Sequence, residues 1–348
     1  MKKRIALLLA AVLTVGTLAT ACGGNGNQGG SDAAANVKIG LAAHTDFAYG
    51  SHSIGDVVYG NPVSETTAQA DIHVAAVMLD ADGKIVQCVI DAVQVKANVD
   101  ATGAMTTDPA TTFQTKKELG TAYNMAGASP IGKEWDAQAA AFEAWCVGKT
   151  PAEVTAAVSA DGYPTDETLL TGCTIKVNAI QTAVVRACEA AIDSNATAAD
   201  TLGLGMTAEL SSYAAATAEA DGKVQAYVNY AATAKNAEGK ITAVLIDSVQ
   251  ANSTWGVDGI LTTDMANEPV SKYNKQYDYG MAPVSTLEKG EWFEQIDAFK
   301  ATILGMDAAA VDAIATDDGG YPTDETLRTG CTMKVKAYKT AVCKALSK

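Results

Sequence analysis

The sequence predicts an α+β fold made twice over: two tandem repeated modules, each an antiparallel sheet packed with helices. Three observations carry that expectation. Tyr163-Pro-Thr-Asp-Glu-Thr-Leu-Leu-Thr-Gly-Cys-Thr174 returns as Tyr321-Pro-Thr-Asp-Glu-Thr-Leu-Arg-Thr-Gly-Cys-Thr332, with one change. Gly83-Lys84-Ile85 returns as Gly239-Lys240-Ile241 and Glu134-Trp135 as Glu291-Trp292, so the offset drifts only from 156 to 158 residues. Within each copy the apolar spacing passes from a strand-like to a helical period. The copies occupy about 37–192 and 203–348, each the size of a usual domain, and the polar, alanine-rich stretch Ser194 to Asp200 joins them.

The elements follow in the same order in both copies. His73 to Leu79 and Lys84 to Val93 are β-rich runs around Asp80-Ala-Asp-Gly83, which predicts a hairpin. Val224 to Thr233 and Lys240 to Val249 repeat it around Asn236-Ala-Glu-Gly239. Glu134 to Val147 carries Trp135, Ala139, Phe142 and Cys146 on one helical face, and Trp292, Ile296, Phe299 and Ile303 repeat that face. Thr150 or Pro151 opens a short helix, as Asp307 does later. Thr174-Ile-Lys-Val177 alternates like a short strand, Asn178 is placed to cap a helix, and Ala179 to Ala191 forms that closing helix.

Ahead of the modules, Lys2, Lys3 and Arg4 precede the apolar stretch Ile5 to Leu13, and Leu18-Ala-Thr-Ala-Cys22 resembles a lipobox. Residues 1–21 therefore read as a removable lipoprotein signal peptide, Cys22 as the lipidated residue, and residues 22–36 as a Gly/Asn-rich flexible tether. Loss of the leader leaves 22 basic against 40 acidic residues, a balance of −18 that repels nucleic acid and anionic headgroups. No second apolar stretch is long enough to span a bilayer. The expected place is the cell envelope, lipid-anchored on the outer face of the cytoplasmic membrane or the cell surface.

Alignment of the copies sorts the cysteines. Cys88 faces Val244, Cys146 faces Ile303, Cys188 faces Leu346 and Cys343 faces Val185, so all four read as small buried hydrophobes. No pair repeats, and no Cys-x-x-Cys or His-rich spacing suits zinc. His44-x-Asp46 with His52 has ligand chemistry, but the second copy offers Met206-Thr-Ala-Glu-Leu-Ser-Ser at that place, and no metal site is assigned. The second copy has no histidine and Gly-x-Ser-x-Gly is absent, so no hydrolase triad is written.

Only Cys173 and Cys331 match each other, inside Thr-Gly-Cys-Thr. A glycine between hydroxyl residues permits a tight turn, and threonines there either cap backbone groups or hold a phosphate near a helix N-terminus. Thr171, Gly172, Cys173 and Thr174, with Thr329, Gly330, Cys331 and Thr332, are the candidate binding residues. Tyr163 and Tyr321 join them, because Gly before and Pro after place each ring in a loop.

Gly-Cys-Thr-Ile-Lys-Val-Asn-Ala-Ile-x-x-Ala-Val, preceded by Thr171, resembles the Ser/Thr-Gly-Ala-Thr segment and helix of FMN-binding domains. Those domains occur in the C subunit of sodium-pumping quinone reductase and in flavinylated lipoproteins of extracellular electron transfer. The hairpin with Asp82-Gly-Lys-Ile85 ahead of Asp91 is also similar. The resemblance implies FMN joined through its phosphate to Thr174 and Thr332 by a flavin transferase, electron transfer by the flavin, and a redox partner at the envelope. The segment departs from the family where Cys173 and Cys331 replace Ala, and where Thr168 and Thr326 replace an Asp. Those departures define the alternative, a non-redox surface lipoprotein whose modules bind a ligand or an envelope protein.

Overall fold

The computed structural model describes residues 35–49, 54–59 and 61–348. The leader, Cys22, most of the tether and His52 lie outside the described residues. The first copy contains β1 (Asn36–Tyr49), β2 (Val57–Val58), β3 (Asn61–Pro62), β4 (Glu65–Leu79), β5 (Ile85–Asp100) and β6 (Thr112–Phe113). Helices α1 (Lys116–Leu119), α2 (Trp135–Cys146), α3 (Pro151–Ala156), α4 (Glu167–Leu170) and α5 (Asn178–Glu189) follow. Strand β7 (Ile192–Thr197) occupies the join. The second copy repeats the plan with β8 (Thr201–Ala214), β9 (Gly222–Lys235), β10 (Ile241–Trp255), α6 (Lys272–Lys275), α7 (Trp292–Ile303), α8 (Ala308–Asp312), α9 (Glu325–Arg328) and α10 (Lys336–Leu346).

The α+β class is thus present, with antiparallel sheets ordered β5-β4-β1-β7 and β10-β9-β8-β6. Strand alternation assigns each face. Ala75, Val77, Leu79, Cys88 and Ile90 pack on Trp135, Phe142, Val184 and Ala187 of the helices. The opposite residues, Ile72, Val74, Ala76, Met78, Val93 and Val95, join Leu204, Met206, Val228, Tyr230 and Trp255 in a core between the two sheets. Four layers result: helix, sheet, sheet, helix. The sheets share their largest apolar surface with each other, and the Trp255 indole N–H reaches across the copies to the carbonyl of Gly103 at 2.9 Å.

Both predicted hairpins form, and both turn glycines take a left-handed φ, +76° at Gly83 and +75° at Gly239. The strands run well beyond the alternating cores read from sequence, because two buried faces need no polar alternation. Helix α2 and its counterpart α7 form as expected, and Thr150 and Asp307 cap α3 and α8 through their side chains. Two expectations need correction. Thr174 to Val177 is irregular rather than a strand, because its N–H groups bond to a side chain and to another loop. Asn178 is the first helical residue of α5, and the capping position falls on Val177 without a side-chain bond.

Glycines set the contact between sheet and helix. A Cβ on Gly40 would lie 1.9 Å from the carbonyl oxygen of Ala187, and one on Gly203 would lie 2.0 Å from that of Ala345. Strands β1 and β8 therefore touch the backbones of α5 and α10, which fixes those helices over the sheets.

Candidate functional site

Each Thr-Gly-Cys-Thr segment is a turn that ends a one-turn helix. Asp166 and Asp324 accept the N–H groups of Leu169 and Leu327 at the starts of α4 and α9. The turns then close with the N–H groups of Gly172 and Cys173 on the carbonyl of Leu169, and those of Gly330 and Cys331 on that of Leu327. Glycine is required by proximity: a Cβ at Gly172 would come within 2.7 Å of Ala141 Cβ, and one at Gly330 within 2.8 Å of Ala298 Cβ. Thr171 and Thr329 are exposed and turn their hydroxyls back to the carbonyls of Thr168 and Thr326 at 2.8 Å.

Cys173 and Cys331 point inward and are fully buried. Burial pushes the Cys173 thiol up to about 11 and the Cys331 thiol up to about 12, so neither presents a thiolate at neutral pH.

Thr174 and Thr332 are half-buried and held by one side chain each. The Thr174 N–H donates to Gln138 Oε1 at 2.9 Å and its hydroxyl donates to the same atom at 3.2 Å. Gln295 Oε1 receives the Thr332 N–H at 2.9 Å and its hydroxyl at 3.4 Å. The glutamine amides are anchored in turn, Gln138 on Ser129 and the carbonyl of Lys133, Gln295 on Ser285 and the carbonyl of Gly290. Gln138 and Gln295 align between the copies, one turn into α2 and α7. That matched buried amide is a residue sequence reasoning passed over, although its repetition beside Trp135 and Trp292 was the available signal.

A second loop packs on each turn. Val177 N–H donates to Gly162 O, and Val335 N–H to Gly320 O, both at 2.8 Å. Tyr163 and Tyr321 then stand 44% and 43% exposed, with Lys176 Nζ 5.5 Å and Lys334 Nζ 5.4 Å from the ring centres. Lysine and tyrosine thus form one surface pair in each module, with the lysine two residues beyond Thr174 or Thr332.

The modules also exchange arms. β6 leaves the first module and pairs with β8 of the second, Thr112 opposite Glu209. The equivalent segment of the second module brings Glu268 to β1, where it accepts the Thr45 N–H at 3.0 Å. Both arms return to their own sheet through a carboxylate: buried Asp91 accepts the Lys117 N–H at 3.2 Å and half-buried Asp247 the Tyr273 N–H at 2.9 Å. Burial raises both carboxyls, Asp247 to about 6.

At each return point a lysine is buried among aromatic rings. Lys116 Nζ lies 4.9 Å from the Tyr123 ring centre and 5.4 Å from that of Trp135. Lys272 Nζ lies 4.4, 4.9 and 5.6 Å from Tyr227, Tyr279 and Trp292, and donates to Tyr227 Oη at 2.7 Å. Tyr227 Oη is 2.9 Å from Tyr338 Oη, which accepts the Trp292 indole N–H at 3.0 Å. Burial pulls the Lys272 amine down to about 7. Trp135 and Trp292 are therefore core residues, with ring faces turned to a cation.

On β1, His44 sits between two carboxylates, Nε2 3.2 Å from Asp46 and Nδ1 2.9 Å from Glu268, while Arg186 takes both oxygens of Glu268 at 2.6 and 2.9 Å. Among the described residues no group of three or more metal-binding side chains is arranged around a common point, and no helix is long and apolar enough to cross a membrane. No protein family, curated protein or solved structure matches the chain.

Proposed function

We propose that this chain is an exported, lipid-anchored protein whose two FMN-binding-like modules carry electrons at the cell envelope. The observation that supports this reading is the duplicated turn, whose threonine-to-glutamine hydrogen bonds and lysine-to-tyrosine ring contact are reproduced in both modules. Thr174 and Thr332 would hold FMN through its phosphate, and their hydroxyls keep acceptor lone pairs while they donate to Gln138 and Gln295. Lys176 and Lys334 supply positive charge two residues beyond each attachment oxygen, in a chain of net charge −15. Tyr163 and Tyr321 supply exposed aromatic faces. The flavin, when bound, supplies the redox chemistry, and the protein positions it.

A second reading, a ligand-binding lipoprotein without flavin, is favoured by the buried thiols of Cys173 and Cys331 and by the structural use of both threonines. Co-expression with a flavin transferase, denaturation, and measurement of intact mass and flavin absorbance separate the two. Two FMN adducts are expected, one lost in Thr174→Ala and the other in Thr332→Ala. A chain with no adduct on either module overturns the carrier reading.

A further inference from the structure

A cleft of about 940 Å³ opens in the second module between its first strand, α10 and the arm from the first module. That size lies at the upper end of small-molecule sites, roughly 300–1,000 Å³. Phe113 from the arm, Tyr227 from β9 and Tyr338 from α10 are its aromatic walls, and Lys334, Lys336 and Lys344 are its cations. Gly319 and Lys334 bring it to the edge of the second turn, yet none of Thr329 to Thr332 lines it.

Charge and polarity in the cleft point one way. Lys344 is paired with Glu118 at 2.6 Å and also donates to the carbonyl of Met206 at 2.9 Å. Lys334 and Lys336 are exposed and, among the described residues, neither has a carboxylate within ion-pair distance. Glu209 is the remaining acidic wall residue. The hydroxyls of Tyr227 and Tyr338 meet at 2.9 Å, backed by the buried Lys272 and by Trp292. Two unpaired cations at a rim over aromatic walls suit a flat ring that carries a negative group.

The first module lacks these features at the matching places. Asp71 stands for Tyr227, Ile180 for Tyr338 and Asn178 for Lys336, and the arm residue Glu268 is locked by Arg186 and His44. We infer that the second module alone contains a reversible binding site for an aromatic anion, a planar ring bearing a phosphate, sulfonate or carboxylate, held by Lys334 and Lys336 over Phe113, Tyr227 and Tyr338.

The inference does not rest on covalent flavin, and its test is separate. The purified protein is titrated by fluorescence with 8-anilinonaphthalene-1-sulfonate, with FMN and with riboflavin, the uncharged counterpart of FMN. One saturable site per chain is expected, with FMN bound about tenfold more tightly than riboflavin, a difference that shrinks with added salt. Lys334→Glu with Lys336→Glu should weaken the two anions by about tenfold or more and leave riboflavin unchanged. Lys84→Glu, at the exposed hairpin turn of the first module, should alter nothing. Both sets lie at exposed positions, and circular dichroism checks their fold. Equal affinity for FMN and riboflavin, two equivalent sites, no saturation, or an equal loss in Lys84→Glu would each overturn the proposal. Thr332→Ala distinguishes the sources: it removes a covalent adduct and should leave reversible binding intact.

Discussion

Where the arm of the second module crosses onto the first, Arg186 grips both oxygens of Glu268, and His44 bridges Glu268 to Asp46. Where the arm of the first crosses onto the second, Lys344 turns to Glu118, and Thr112 and Thr207 occupy the places of Glu268 and His44. Arg186 and Lys344 still donate to equivalent carbonyls, those of Ala43 and Met206. The frame is common and the contents differ. The Thr-Gly-Cys-Thr turns show the converse, since glutamine, glycine, threonine and buried thiol recur with nearly the same bond lengths. Duplication has kept the turns and the sheet-to-helix contacts while the crossing points went separate ways, one to ion pairs and one to aromatic rings.

The largest test concerns what the modules share. Gly40→Val and Gly203→Val each force a side chain into a helix carbonyl 1.9 to 2.0 Å from the new Cβ. Each should cost about 3 kcal/mol in urea unfolding, through displacement of α5 or α10. Because one apolar core joins both sheets, each variant should shift a single cooperative transition. Two separate transitions, with only one moved by each variant, would break the picture of a shared core.

Next comes the pair Gln138→Leu and Gln295→Leu. Each leaves a half-buried threonine N–H without its acceptor, at an expected cost of about 2 kcal/mol. The two losses should agree closely. A clear difference would show that the turns, so alike in geometry, are supported differently.

These glutamines also mark the limit of what the sequence made legible. Hairpins, long helices and the repeat were readable because they rest on local spacing and on turn residues such as Gly83 and Gly239. Thr174 to Val177 alternated like a strand, but its N–H groups were claimed by Gln138, 36 residues earlier, and by Gly162 of the adjoining loop. The arms depend on contacts such as Glu268 with His44, 224 residues apart, which no local pattern encodes. Lys116 and Lys272 were visible as a repeated charge near matched aromatics, yet nothing local says that a lysine will be buried. Of the candidate residues, the structure ties Thr174 and Thr332 to a buried glutamine, sets Tyr163 and Tyr321 against a lysine instead, and sends both cysteines into the core.

The histidines sharpen the comparison through pH. Burial, with Lys116 nearby, pulls His73 down to about 3 from an ordinary value of 6.5. The folded state therefore resists its protonation, and stability should fall as pH drops below 6.5, by about 2 kcal/mol at pH 5. His73→Asn installs the residue that the second module has at Asn229 and should remove that loss. His44 is raised instead, chiefly by its hydrogen bond to Asp46, against burial and with help from Glu268. Its contribution is complete below the unfolded value of 6.5 and is lost as pH rises through the folded value. His44→Thr should flatten that alkaline limb. Urea midpoints from pH 5 to 9 read both limbs, and a wild-type profile flat across the range would contradict both assignments.

The smallest effects are expected where the modules differ without consequence. Cys88 and Cys146 lie buried where the other module has Val244 and Ile303. The Cys88 thiol is raised by contact with Cys146 and by burial, and Cys188 is pushed up to about 12 by burial. Thiols so placed act as apolar volume, because reactivity belongs to the thiolate. Cys88→Ala and Cys146→Ala, each the loss of one sulfur atom, should cost only about 1 kcal/mol. Among the described cysteines, a thiol reagent should reach the half-buried Cys343 of the folded protein first, and the five buried thiols only after urea. Rapid labelling of Cys88 or Cys146 in the native state would give the first module a thiol chemistry that the second cannot have. Slow labelling together with small losses would place their divergence in packing, and leave the arms and the cleft as the difference that matters.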